Sequence, residues 1–220
     1  MKVLILVLSC LRDPYDKLMK AQQRTWDSVD VPGAETIYYY GGNTGFKVVN
    51  HYSREFSANS CDGLNMAHWK YALTLREVMS LEWDFIFRTN SSSYVNKREL
   101  LKMAKKLPKE KCYCGVSGEC GMFASGCGHF ISRDVAQILL DEMQCNIGND
   151  VNYTPDDVYI GQILCKKYGL SVTPGCERVD YYSNGHNRDY KTYHYRCKNE
   201  ADRRGDIDAF EWLFNRHDQP

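Results

Sequence analysis

The run Asp84-Phe85-Ile86-Phe87-Arg88-Thr89-Asn90-Ser91-Ser92-Ser93-Tyr94-Val95-Asn96 decides the fold. Trp83 to Arg88 is an apolar segment of strand length, and the polar run from Thr89 to Ser93 turns the chain. Asn96, with Glu99 three residues on, then forms a capping-box helix start. A strand, a polar turn and a helix follow one another here, and the same order recurs on both sides.

Upstream, Val3 to Ser9 is a continuous apolar run, as a central strand covered on both faces requires. Asp13 can cap the next helix and Pro14 suits its first position. Leu18, Gln22 and Trp26 recur at helical spacing until Val31-Pro32-Gly33 stops it. Thr36 to Tyr40 reads as a second strand, ended by Gly41 and Gly42. From Asp62 to Leu81 a longer helix puts Leu64, Ala67, Tyr71, Leu75 and Val78 on one face, with His68, Lys70 and Arg76 elsewhere on its surface.

Downstream, Cys112 to Val116 and Cys127 to Ile131 read as strands, and Ser132 caps a helix through Met143. Thr154-Pro155-Asp156-Asp157 opens another helix that closes at Gly169, followed by a strand over Leu170 to Thr173. Gly175 to Lys198 is rich in Tyr, His, Asn and Arg without periodicity, an ordered loop over the crevice, and Ile207 to Phe214 is a last amphipathic helix. The alternation predicts one α/β domain with a mainly parallel central sheet and helices on both faces. Its ligand crevice lies at the carboxyl ends of the strands. Residues 1–174 form the core, and 175–220 pack on it as a loop and helix.

The 28 basic and 28 acidic side chains cancel, which argues against nucleic acid as a partner. The opening apolar run is short and lacks a small-residue cleavage pattern. No stretch approaches the roughly 20 apolar residues of a membrane span. The expectation is a soluble, cytoplasmic protein. Its ten cysteines are then expected as reduced thiols, and the spacing Cys112, Cys114, Cys120, Cys127 lacks the paired Cys-x-x-Cys of a zinc site.

Four segments, in order, resemble the beta-1,3-glycosyltransferase and Fringe-like family over Val3 to Pro174. Arg24-Thr25-Trp26 is similar to its Arg-x-Thr-Trp. The run from Asp84 to Asn96 matches the frame of its Lys-Thr-Asp-Asp-Asp-Val-Phe-Val-Asn. Ala124-Ser125-Gly126-Cys127-Gly128-His129-Phe130-Ile131-Ser132 is similar to its Gly-rich segment before a helix. Pro155-Asp156-Asp157-Val158-Tyr159-Ile160-Gly161 resembles its acidic motif. The resemblance implies a GT-A fold, a nucleotide-diphospho-sugar donor of the UDP kind and inverting transfer to a glycan hydroxyl.

It also implies roles. Asp157 is the general base that deprotonates the acceptor, with Asp156 orienting it or binding the acceptor. The plainer alternative is that Asp157, three residues after Thr154, completes a capping box. Asn90, Ser91 and Ser92 stand where the family's acids hold Mg²⁺ or Mn²⁺, and neutral side chains serve hard cations poorly. A donor held without metal, by hydroxyl and amide groups plus basic residues, is therefore expected. The alternative is a non-catalytic nucleotide-sugar or glycan-binding protein.

The basic tail residues His186, Arg188, Lys191, His194, Arg196 and Lys198 can offset the diphosphate, with His194, Arg196 and Lys198 the preferred set. Arg88 is a further donor contact. Arg12 and Asp13, after the first strand, are candidates for the nucleoside, and one of Tyr38, Tyr39 and Tyr40 for stacking. Ser125, Gly126 and Gly128 are candidates for the acceptor side, where glycine allows close backbone approach.

Overall fold

The computed structural model describes residues 1–42, 44–50, 52–118, 121–145, 154–174, 176–182 and 190–218. The first strand, β1 (Val3–Leu8), is buried from Val3 to Val7, and its side chains alternate between two cores. Val3, Ile5 and Val7 face one cluster; Leu4 and Leu6 face the other. Each fully buried aliphatic side chain of this kind contributes about 1.5–3 kcal/mol, so β1 is the hub of the domain.

Helix α1 (Tyr15–Arg24) follows, then β2 (Ala34–Gly42), β3 (Gly45–Asn50) and β4 (Ser53–Asn59). Next come α2 (Ala67–Val78), β5 (Phe85–Asn90), β6 (Ser93–Val95) and α3 (Lys97–Ala104). The chain continues through β7 (Tyr113–Ser117), β8 (Ala124–Ser132), α4 (Arg133–Cys145) and α5 (Asp156–Gly161). The described part closes with β9 (Val179–Asp180), β10 (His194–Arg196) and α6 (Arg204–His217).

Seven strands form the central sheet in the order β3-β4-β2-β1-β5-β8-β7. The side chains of α1, α3 and α6 pack on the face of Val3 and Ile5, and those of α2, α4 and α5 on the face of Leu4 and Leu6. Parallel pairing is confined to β4-β2-β1-β5; β3, β8 and β7 join antiparallel, so the expected mainly parallel sheet is in fact mixed. A second, three-stranded sheet, β6-β10-β9, joins the strand after the serine loop to two strands of the tail.

Several expectations are corrected. Asp13 makes no cap on α1, whose first turn follows Pro14; its carboxylate pairs with Lys17 instead. The long helix expected from Asp62 starts only at Ala67, after a 3₁₀ turn over Leu64–Met66, because the Asp62 carboxylate accepts N–H groups of other segments. Leu170 to Thr173 contributes one bridge, Cys114 to Thr173, where a strand was expected. Asn96 does cap α3, its side chain accepting the Glu99 N–H at 3.0 Å. Cys114 and Cys176 form a disulfide, which overturns the expectation that every thiol is reduced. No helix among the described residues is long and apolar enough to cross a membrane.

Candidate active site

The register Leu8 to Asn90 places the carboxyl ends of β1 and β5 side by side, and a cavity of about 500 Å³ opens above them. Its floor is built around Arg88. This residue is 1% exposed, and its guanidinium donates to the Tyr39 hydroxyl at 3.3 Å, to the Gly126 carbonyl and to the Asp156 carboxylate. Burial opposes the charge, but Asp156 and Tyr39 outweigh it and the Arg88 pKa is raised. A Cβ at Gly126 would stand 2.5 Å from Arg88 Nη1, so this glycine makes room for a protein side chain.

Asp157 joins the floor to the opening. Its Oδ2 accepts the Gly126 N–H at 2.9 Å and its Oδ1 the Val158 N–H at 3.0 Å, and the residue is half-buried on the crevice wall. Two N–H donors leave part of the carboxylate's acceptor capacity unused. Asp156 spends its charge on Arg88, so its place is that of an anchor between α5 and β5.

The serine loop forms a second wall. Asn90 Oδ1 accepts the Ser92 N–H at 3.0 Å, the Ser91 hydroxyl donates to Leu8 O at 2.9 Å, and Ser92 Oγ accepts from Arg203 Nη2 at 2.6 Å. Each side chain is committed to a protein group. A resident Mg²⁺ or Mn²⁺ takes several oxygen ligands, carboxylates among them. Among the described residues no group of three or more His, Cys, Asp or Glu is gathered to hold a metal. Asn90, Ser91 and Ser92, already engaged by protein groups, offer such an ion no carboxylate.

The third wall is the tail. The Cys197 N–H donates to Ser92 O at 2.7 Å, which sets Arg196 and Lys198, one on each side of Cys197, along the crevice. Both meet Glu200, at 3.9 and 2.8 Å. Arg12 and Asp13 also line the crevice.

The remaining candidates lie elsewhere. His194 does not line the crevice: its ring is buried, edge-on to Phe87, with Nε2 3.1 Å from Ser93 Oγ. Burial, with Arg178 and Arg196, lowers its pKa to about 3, so it is neutral, and the expected diphosphate contact is corrected on both counts. Gly128 is buried and makes room for the His194 ring, while Ser125 accepts from Arg178 Nη1 at 3.1 Å; neither lines the crevice. Tyr38, Tyr39 and Tyr40 are core residues. Gly175, His186 and Arg188 lie outside the described residues.

Three charged lining residues escape the sequence reading. Lys70, expected on the surface of its helix, is 2% exposed and pairs with Asp62 at 3.1 Å. Asp62 also accepts the Leu11 and Gly41 N–H groups, each at 2.7 Å, and thereby locks the loop after β1 to the end of β2. Burial pushes its carboxyl up, but these bonds, with Cys10 and Lys70, outweigh burial and the net shift is down. Arg203 is the third. No spacing signal marks the Asp62–Leu11 and Arg203–Ser92 contacts, because these partners are distant in sequence.

No protein-family model matches the sequence, and no curated protein matches it significantly. Among solved structures, the chain is similar to the apo form of the glycosyltransferase GlyE of Streptococcus pneumoniae TIGR4. The TM-score is 0.57 and the identity 9%, with 98% of this chain and 62% of that chain covered. The chain therefore spans less than two thirds of that structure's length. At this identity the likeness establishes a glycosyltransferase-like α/β fold in a single domain.

Proposed function

We propose that the chain is an inverting glycosyltransferase that moves a sugar from a nucleoside diphosphate donor, a uridine one, to a hydroxyl of a glycan acceptor without a divalent ion. The uridine and the inversion come from the family resemblance. One observation carries the reading: six cationic and four acidic side chains line a single crevice that also holds the Asp157 carboxylate. Arg196 and Lys198, whose acid partner Glu200 is exposed, can be re-partnered by a diphosphate at little cost.

In this reading an Asp157 oxygen takes the proton of the acceptor hydroxyl as that oxygen bonds to the anomeric carbon. The bond from that carbon to the diphosphate oxygen breaks, and the electron pair leaves on the diphosphate. Arg196 and Lys198 offset the developing charge. Asp156 acts through Arg88, which fixes the start of α5.

A second reading is favoured by the commitment of Asn90, Ser91 and Ser92 to protein groups: a binding protein without turnover. Donor cleavage in the presence of EDTA decides between them. Metal-independent release of UDP, lost in Asp157→Asn, supports the enzyme. Binding of a nucleotide sugar without turnover supports the second reading.

A further inference from the structure

One firmly anchored cation at the crevice lies outside the basic run of the tail. Arg203, just before α6, donates through Nη2 to Ser92 Oγ at 2.6 Å and to Asp206 Oδ2 at 2.9 Å, and through Nε to that same oxygen at 3.1 Å. Asp206 is fully buried, and its other oxygen accepts the Asn199 N–H at 2.7 Å. The guanidinium carbon also lies 5.3 Å from the centroid of the Tyr15 ring. Three separate parts of the chain thus hold one group. Arg203 Nη1 has no hydrogen-bond acceptor among the described residues.

Ser92 links this cation to the others. Its hydroxyl takes Arg203, and its carbonyl takes the N–H of Cys197, the residue between Arg196 and Lys198. The counter-ions differ. Glu200, which meets Arg196 and Lys198, is 72% exposed, whereas Asp206 is buried and does not line the crevice. A ligand anion must compete with Glu200 for the first two cations, but it meets Arg203 with its fork already oriented and one edge unspent.

We infer that Arg203 is a diphosphate-binding residue, its Nη1 edge donating to a phosphate oxygen of the nucleoside diphosphate. The inference rests on the function proposed above. A planar fork clamped by an acid, a hydroxyl and an aromatic ring loses little freedom on binding. A fixed cation also needs no reorganisation when charge develops on the leaving group.

Calorimetric titration of the full chain with UDP, inorganic pyrophosphate and uridine tests it. Arg203→Ala is expected to weaken UDP and pyrophosphate roughly 10- to 100-fold, the range of a hydrogen bond to a charged group, and to leave uridine unchanged. Arg203→Lys restores part of the loss, since an ammonium keeps the charge but not the fork. Ser92→Ala, which keeps the Arg203–Asp206 pair and so the local fold, gives a smaller loss again confined to the phosphate ligands. Equal losses for UDP and uridine, or a wild-type affinity for UDP in Arg203→Ala, would overturn the inference while leaving the proposed function standing. A wild-type chain that binds neither UDP nor pyrophosphate overturns both.

Discussion

Arg88 and Arg196 line the same crevice, yet Arg88 is 1% exposed with three acceptors in reach, whereas the Arg196 side chain is 31% exposed and, among the described residues, has its one ion pair with Glu200, at 3.9 Å. The contrast separates two uses of one residue type. A guanidinium buried against a carboxylate is committed, because removing either partner strands a charge in low dielectric at about 3–5 kcal/mol. A solvent-exposed pair is worth about 0–1 kcal/mol and can be re-partnered by a ligand at little cost. The floor of the crevice therefore holds the shape, and the rim is free to respond.

The largest effect is expected where floor and rim meet. Asp157→Asn should lower turnover by about 10²- to 10⁴-fold, the usual worth of a general base, with nucleotide binding retained. Loss of UDP binding in step with turnover would move Asp157 to the structural side of the contrast. On the floor itself, Arg88→Met should cost about 3–5 kcal/mol in denaturant unfolding, since Asp156 is left unpaired. Adding Asp156→Leu should recover much of that loss, and no recovery would show that Arg88 acts through Tyr39 and Gly126 instead.

A third test uses acid. Burial, and then nearby arginines, lowers His129 and His194 from 6.5 to about 3. Between those values the unfolded chain binds two protons that the folded chain does not, so stability rises with pH across the window and falls on acidification. Each imidazole contributes roughly 1.4 kcal/mol per pH unit there. Burial raises Asp206 and Asp218, which work in the opposite sense near the lower end, so unfolding is best compared between about pH 5 and 6.5. Stability that stays flat over that range would mean the two rings are not held neutral. The smallest effect belongs to the rim: Arg196→Ala should weaken UDP by about tenfold, leave uridine unchanged and leave stability within about 1 kcal/mol. Equal losses for both ligands would count against a phosphate role.

Segments whose pattern is local were legible in the sequence. The apolar run of β1 and the Asn96 cap of α3 carry their structure in adjacent residues. The hairpin β3-β4 was not read, because exposed Phe46, Val48 and Val49 on an edge strand do not mimic a buried alternation. β6 and β10 are too short to show a period, and they exist because each pairs with the other across the serine loop. At the site, sequence order brought forward Asp157, the loop 90–92, Arg196 and Lys198, all of which line the crevice. It also brought forward His194, where composition could not tell a buried neutral ring from an exposed cation. Arg203 and Asp62 matter through partners more than fifty residues away, Ser92 and Leu11, and no local pattern records such pairings.

The Cys114–Cys176 disulfide joins the edge strand β7 of the seven-stranded sheet to the start of the tail, across a sequence separation of 62. Closing a loop of that length removes unfolded-chain entropy worth about 4 kcal/mol in the chain-entropy model. Such a bond persists in oxidising surroundings and opens where thiols are kept reduced. The chain's robustness is thereby tied to the compartment that holds it. Alkylating the thiols before and after reduction would read which of the two forms a cell maintains.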